Sequence, residues 1–264
     1  MKRIEVHPTA ILDPKAVLGP GVEIGPFCVI AGDVQLQADV KLASRVTIRP
    51  GVVVGAGTDI SEGVVIGGDP QDLSYNGEET GVRIGKQNVI REYVTIHRAT
   101  GEGKETVIGD CNYLMAYTHV GHNGRIGNYN QFANNAAFGG HCEVGDHAVI
   151  GGMTGVHQFV KIGSFAMVGF HSKLTQDLPP YLLADGRPAR IRGINGVGLK
   201  RNGFSSEKRR IIKRIYKEIF RAKVNLREGK KRMRAYLQGA DGGERDVLET
   251  LLNFLERSER GICV

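Results

Sequence analysis

Residues 18–48 read LGPGVEIGPFCVIAGDVQLQADVKLASRVTI, with an apolar residue at every sixth position: Leu18, Ile24, Ile30, Leu36, Leu42 and Ile48. Extended both ways, the register runs from Val6 to Leu174, and 26 of its 29 positions are apolar. The exceptions are Asp72, Glu78 and Glu102. Four residues after each anchor stands a second, mostly small residue, as at Ala10, Ala16, Val22, Cys28, Val34 and Val40. Glycine often follows the anchor directly, as at Gly19, Gly25, Gly55, Gly85, Gly109, Gly121 and Gly127. Neither the helical nor the simple strand period makes this pattern. A short strand followed by a tight corner does, with the anchor pointing inward. The repeat predicts a parallel β-helix. Gly and Asn are expected where its corners need positive φ.

Composition agrees and excludes other classes. The chain has 264 residues, 37 Gly and no Trp, and a narrow core has no room for indole. Lys+Arg 35 against Asp+Glu 28 gives +7, too balanced for a disordered polyelectrolyte. No apolar run reaches the roughly 18 residues that span a bilayer, so no stable membrane insertion is expected. The N-terminus turns polar at once and lacks a signal-peptide pattern, which places the expected site of action in the cytoplasm. Cys28, Cys111, Cys142 and Cys263 form no CxxC and no disulfide framework, consistent with reduced thiols.

Two stretches interrupt the repeat without changing its register modulo six. They are 69–82, DPQDLSYNGEETGV, and 99–107, ATGEGKETV, and they read as loops inserted into one solenoid. The β-helix is expected over 1–190 and a helical domain over 191–264. The repeat stops at Asp177-Leu178-Pro179-Pro180, and a Gly-rich connector runs to Gly203. Amphipathic patterns then predict helices over about 206–223, around 231–237 and over about 244–257. Ser205 or Ser206 is the expected first cap. Such helices would cover the open end of the prism. Charge concentrates here: residues 200–234 carry 15 basic and 3 acidic side chains. The stretch reads either as a solvated face or as a docking site for an acidic partner or a nucleotide phosphate. It lacks the interleaved aromatics and reading motif of a nucleic-acid surface.

The repeat resembles the hexapeptide-repeat acyltransferases. That resemblance implies a mainly β chain, a left-handed parallel β-helix with three hexapeptides per coil and a C-terminal α-helical region. It also implies a homotrimer, with active sites in clefts between neighbouring prisms. Residues 18 apart should then stack at about 4.8 Å. On this coil His122, His141 and His157/Gln158 fall along one edge, and His97 lies about one coil and one strand earlier. Such a polar strip on a regular prism marks a candidate site. Two chemistries could use it. One is a metal site of the hydratase type, weakened by the His119/His122 spacing of three and the lack of an acidic third ligand. The other is general-base acyl transfer, which needs one neutral imidazole and a nearby N–H for the oxyanion.

Six stretches sharpen the resemblance: GGDPQDLSYNGEET, REYVTIHRAT, YTHVGHNGRIG, GGMTGVHQFV, QDLPPY and GLKRNGFS. Together they are similar to the UDP-N-acetylglucosamine acyltransferases that begin lipid A biosynthesis, over essentially the whole chain. The resemblance implies transfer of a 3-hydroxyacyl group from acyl carrier protein to the sugar 3-hydroxyl, with no cofactor beyond the carrier's thioester. It implies His122 as general base and Gly140 N–H as oxyanion donor. It assigns Asp72, His119, His141 and His157 to positioning sugar and acyl groups, and His97 and Gln158 to further substrate contacts. Asn195 and Arg201 would meet the nucleotide and diphosphate.

Three positions depart from the family pattern. Asn123 follows the candidate base where an Asp is common. Ser74 stands where the inserted loop commonly has Lys, and some relatives without that Lys acylate a 3-amino sugar. Phe170 stands where a Gly lets a long acyl chain pass, so it is the candidate acyl-chain ruler.

Overall fold

The computed structural model describes residues 2–222 and 225–264. Short strands, most of two residues, stack into three parallel sheets of eleven, nine and eight strands; a final antiparallel pairing closes the largest. Partners in regular coils are 18 residues apart, as in Val29↔Thr47 and Ala137↔Gly155. Each anchor of the six-residue register points into the prism; Ile30, Ile48, Ile60, Leu114 and Val168 are 0–1% exposed. The first anchors, Val6, Leu12 and Leu18, are less covered because no coil lies beneath them.

Two coils are longer. Val65 pairs with Thr95 and Thr95 with His119, separations of 30 and 24 residues, so twelve and then six residues are looped out. The insertions lie between strands Val65–Gly68 and Gly81–Ile84, and between Thr95–His97 and Glu105–Ile108. The strands reach further into both loops than periodicity alone suggests, because Gly81 and Val82 pair with Glu105 and Thr106.

The corners sort glycine differently from the sequence expectation. Positive φ falls three residues after the anchor, and most of these positions are not Gly: Asp33, Tyr93, Tyr117, Asn123, His141, His147 and Phe159 all lie between +56° and +66°. Such a residue carries a penalty of about 1 kcal/mol or more. Side-chain columns offset it: Tyr129, His147 and Phe165 stack with centroids 4.8 Å apart, the spacing of the coils. The glycines directly after anchors serve a different need. A Cβ on Gly25 would stand 2.7 Å from the Ala43 carbonyl oxygen of the next coil. Close approach, rather than backbone handedness, requires them.

At the C-terminal end, strand Leu182–Gly186 joins the prism and turns back antiparallel into Ala189–Ile194, which spans residue 190. The connector then forms a short helix that the sequence reading missed, α1 (Gly196–Arg201), capped by Asn195. Helix α2 (Ser206–Ile215) is capped by Ser205 and continues into a wider turn, Tyr216–Arg221. Lys223, the expected end of this helix, lies outside the described residues. Helices α3 (Leu226–Gly239) and α4 (Gly242–Glu256) follow, and α4 buries Val247, Leu248, Leu251, Leu252 and Leu255. Buried Asp177 ties the last coil to the C-terminus, accepting from Lys161 N–H at 2.8 Å and Ser258 Oγ at 2.7 Å.

Candidate active site

One sheet presents Thr95, His119, Ala137, Gly155 and Lys173 outward in register. Above His119 the outward side chains shrink to a methyl and then to hydrogen. That step opens a cavity of about 490 Å³, lined by Gln71, His97, His119, His122, Gly140 and Gln158 among others. Ala137 and Gly155 are small because the cleft needs the space, a signal visible in the outward positions of the repeat but not used in the reading above. Gln71 and Lys173 were missed as well.

His122 is 8% exposed. Its Nδ1 lies 2.8 Å from Asn123 Oδ1, and its Nε2 lies 3.8 Å from Asp72 Oδ2. The Asn123 oxygen also accepts from Thr100 N–H at 2.9 Å and Thr100 Oγ1 at 3.0 Å, while the Asn123 amide nitrogen donates to the Thr100 carbonyl at 3.0 Å. A flipped amide would set donor against donor and oxygen against oxygen. The oxygen must therefore face His122 and can only accept there, so His122 carries its proton on Nδ1. Nε2 is left with its lone pair toward the cavity.

Gly140 passes over this imidazole. A Cβ at that position would stand 2.5 Å from His122 Cε1 and closer still to Nε2. Among the described residues, no acceptor takes the Gly140 N–H. His141 packs edge-on against His122, centroids 5.2 Å apart, and stacks on Phe159 at 4.7 Å. Burial, then the neighbouring His122, pushes the His141 pKa down.

His119 and His97 meet edge-on with centroids 5.0 Å apart. Burial above all, with His97 and His122 adding to it, lowers His119 to about 4. His119 Nδ1 bonds Thr95 Oγ1 at 2.8 Å, while the buried Nδ1 of His97 has no partner. His97 is also shifted down, chiefly by burial. Among the described residues no three His, Cys, Asp or Glu side chains converge as metal ligands.

Asp72 reaches the site from the first insertion. Ser74 holds it: Ser74 N–H and Oγ both donate to Asp72 Oδ1 at 2.9 Å, leaving Oδ2 toward His122. These two bonds are the main reason the Asp72 carboxyl titrates below its usual range. Ser74, which stands where the family commonly has Lys, thus acts on Asp72. Glu78 Oε1 accepts from Gly101 N–H at 2.8 Å and clamps the two insertions together.

His157 and Gln158 lie on the cavity rim, with His157 Nδ1 3.1 Å from the Gln158 carbonyl. Asn195, Arg201 and Phe170 are not brought to this cavity within one chain. Asn195 is 3% exposed and spends both side-chain groups internally, on Gly198 N–H and the Phe165 carbonyl, each at 3.0 Å. Arg201 is exposed in the last turn of α1. Phe170 is 67% exposed on a corner above Gly152.

The chain is similar to known proteins in sequence and in fold. Residues 177–263 match the family model described as UDP N-acetylglucosamine O-acyltransferase, domain 2. A Paraburkholderia phymatum protein named acyl-[acyl-carrier-protein]–UDP-N-acetylglucosamine O-acyltransferase is 41% identical over 198 residues, 75% of each chain. The solved UDP-N-acetylglucosamine acyltransferase of Francisella novicida superposes with TM-score 0.92 at 34% identity, covering 97% of this chain and 93% of that one. Its Campylobacter jejuni counterpart gives 0.91 at 35% identity, covering 98% and 99%. The fold is thus the left-handed parallel β-helix of these enzymes, and the chain belongs to the acyl-[acyl-carrier-protein]–UDP-N-acetylglucosamine O-acyltransferase family.

Proposed function

We propose that this chain transfers a 3-hydroxyacyl group from the thioester of acyl carrier protein to the 3-hydroxyl of UDP-N-acetylglucosamine, the first step of lipid A biosynthesis, in the cytoplasm. The observation that carries the reading is His122: its Nδ1 proton is committed to Asn123, and its Nε2 opens onto the cavity beside Gly140, whose N–H no acceptor takes among the described residues.

In this reading Nε2 removes the proton of the sugar hydroxyl, and that oxygen attacks the thioester carbonyl carbon. The carbonyl oxygen becomes an oxyanion, to which Gly140 N–H donates. Collapse breaks the carbon–sulfur bond, and the imidazolium returns its proton to the departing thiolate. Asn123 orients the imidazole but brings no charge. The nearest carboxylate is that of Asp72, 3.8 Å from Nε2, and it supplies the compensating field.

A homotrimer completes the site. Leu73, in the first insertion, is fully exposed in the single chain, and Val89, Tyr113, Gln131, Val149 and Met167 stack outward in register on one sheet, apolar or aromatic except at Gln131. Arg201, exposed in the last turn of α1, would meet the diphosphate across that interface, while Asn195, buried as the cap of α1, would hold that helix in place rather than touch the nucleotide. The basic faces of α2 and α3 suit an acidic carrier protein.

The test is mass spectrometry of products from a panel of acyl-carrier thioesters offered with the 3-hydroxy and the 3-amino sugar nucleotide. An ester on the hydroxy sugar, cleaved by mild alkali, is expected. An alkali-resistant amide formed only on the amino sugar would replace the acceptor assignment, and no transfer to either would overturn the reading.

A further inference from the structure

We propose that Thr100 is a positioning residue for His122, acting through Asn123 to fix which imidazole nitrogen faces the substrate. The inference rests on the general-base reading above. Asn123 bonds His122 through one atom, Oδ1, at 2.8 Å, and among the described residues every other hydrogen bond of its side-chain amide runs to Thr100. Thr100 N–H and hydroxyl both donate to that oxygen, and the Thr100 carbonyl takes the amide N–H.

The match explains how an amide works where a carboxylate would not fit as well. A carboxylate could accept from Thr100 N–H, Thr100 Oγ1 and His122. Its second oxygen would then stand where the amide nitrogen does, about 3 Å from the Thr100 carbonyl, with no proton between them. Residues 100 and 123 are therefore a pair: the backbone carbonyl of Thr100 selects an amide, and the amide selects the Nδ1–H form of His122.

The relay is anchored at both ends. Asn123 N–H donates to Thr106 Oγ1 at 2.9 Å, fixing the left-handed corner from which the side chain springs. Beyond Thr100, Gly101 N–H donates to Glu78 Oε1, and Glu78 Oε2 accepts from Asn76 N–H at 2.9 Å. The first insertion thus holds the second, and the second holds the imidazole.

Thr100→Val removes the hydroxyl at nearly constant shape. It is expected to lower kcat about fivefold with KM unchanged. Nitrogen NMR of labelled histidine should show a larger share of His122 protonated on Nε2. Thr100→Ser restores the hydroxyl and should recover both readouts. Wild-type kcat and an unchanged tautomer in Thr100→Val would overturn the relay. A Thr100→Ser variant that shifts the tautomer as far as Thr100→Val would do the same, since a hydroxyl present at position 100 would then fail to fix the imidazole. The tautomer is read without substrate, which separates the two claims. A Thr100-dependent tautomer in a chain that transfers no acyl group keeps the relay and removes the acyltransfer reading. Transfer through His122 with a Thr100-independent tautomer does the reverse.

Discussion

Gly140 and His122 leave no room for a side chain between them: a Cβ on Gly140 would stand 2.5 Å from the imidazole Cε1 and nearer to Nε2. Gly140→Ala must therefore push the imidazole off its Asn123 bond or shift the corner that carries the proposed oxyanion donor. Both effects act in the transition state. A fall in kcat of about a hundredfold or more is expected, with the melting temperature lowered by only a few degrees. Steady-state kinetics with an acyl-carrier thioester, paired with thermal melts, check it.

His122→Ala removes the proposed base but leaves the stack of coils untouched, since His122 contributes no anchor to the core. Acyl transfer should drop by at least about a hundredfold, while the sedimentation behaviour stays that of the parent. Near-normal turnover would take the base assignment away from this residue.

The two roles of tight corners give opposite stability effects. Gly25→Ala meets the Ala43 carbonyl at 2.7 Å and should destabilise by about 2 kcal/mol or more. Asp33, exposed at φ +56°, has the reverse problem. Asp33→Gly should be neutral or stabilising by up to about 1 kcal/mol. Denaturant midpoints measured side by side decide between them.

His119 makes stability depend on pH in a defined window. Its ordinary value of 6.5 is lowered to about 4 in the fold, so between these values the unfolded chain binds a proton that the folded chain refuses. Its contribution is complete above pH 6.5 and is lost as pH falls toward about 4. Lowered values at His97 and His141 act with the same sign. In urea titrations from pH 7 to pH 4, His119→Gln should flatten part of the decline.

Phe170 tests the acyl-chain reading. Its ring occupies a corner beside Gly152 rather than the cavity around His122. If a chain leaving that cavity runs up the prism past this corner, Phe170→Gly will admit thioesters several carbons longer with little change for short ones. An unchanged chain preference removes Phe170 as the ruler.

The period of six made the prism legible because inward anchors are a one-dimensional signal: a strand can be read from its own residue when every coil repeats it. The site was legible in part for the opposite reason. Asp72 and Glu78 break the anchor rule, and in the structure one faces His122 while the other clamps the insertion that carries Thr100. Thr100 and Gln71 escaped because what matters about them is a neighbour distant in sequence and displaced by looped-out residues, and Lys173 because it is an ordinary outward position of a regular coil, one step of 18 from Gly155. An 18-residue step from His97 arrives short of His119; only the 24-residue pairing of Thr95 with His119 sets the two rings side by side. Asn195 was singled out by the family resemblance alone, and its burial as the cap of α1 was not legible, since glycines hid that helix.

The insertions come in quanta. Twelve and six residues are whole numbers of hexapeptides, and the coils above them resume as though nothing had been added. The added residues leave the prism at a corner and return to it, and the strands that follow pair by their own anchors, Ile84 on Val54, Ile90 on Ile60 and Ile96 on Ile66. The scaffold therefore separates its load-carrying stack from its working loops, so new loops can be grafted beside the histidines without disturbing the rest of the molecule.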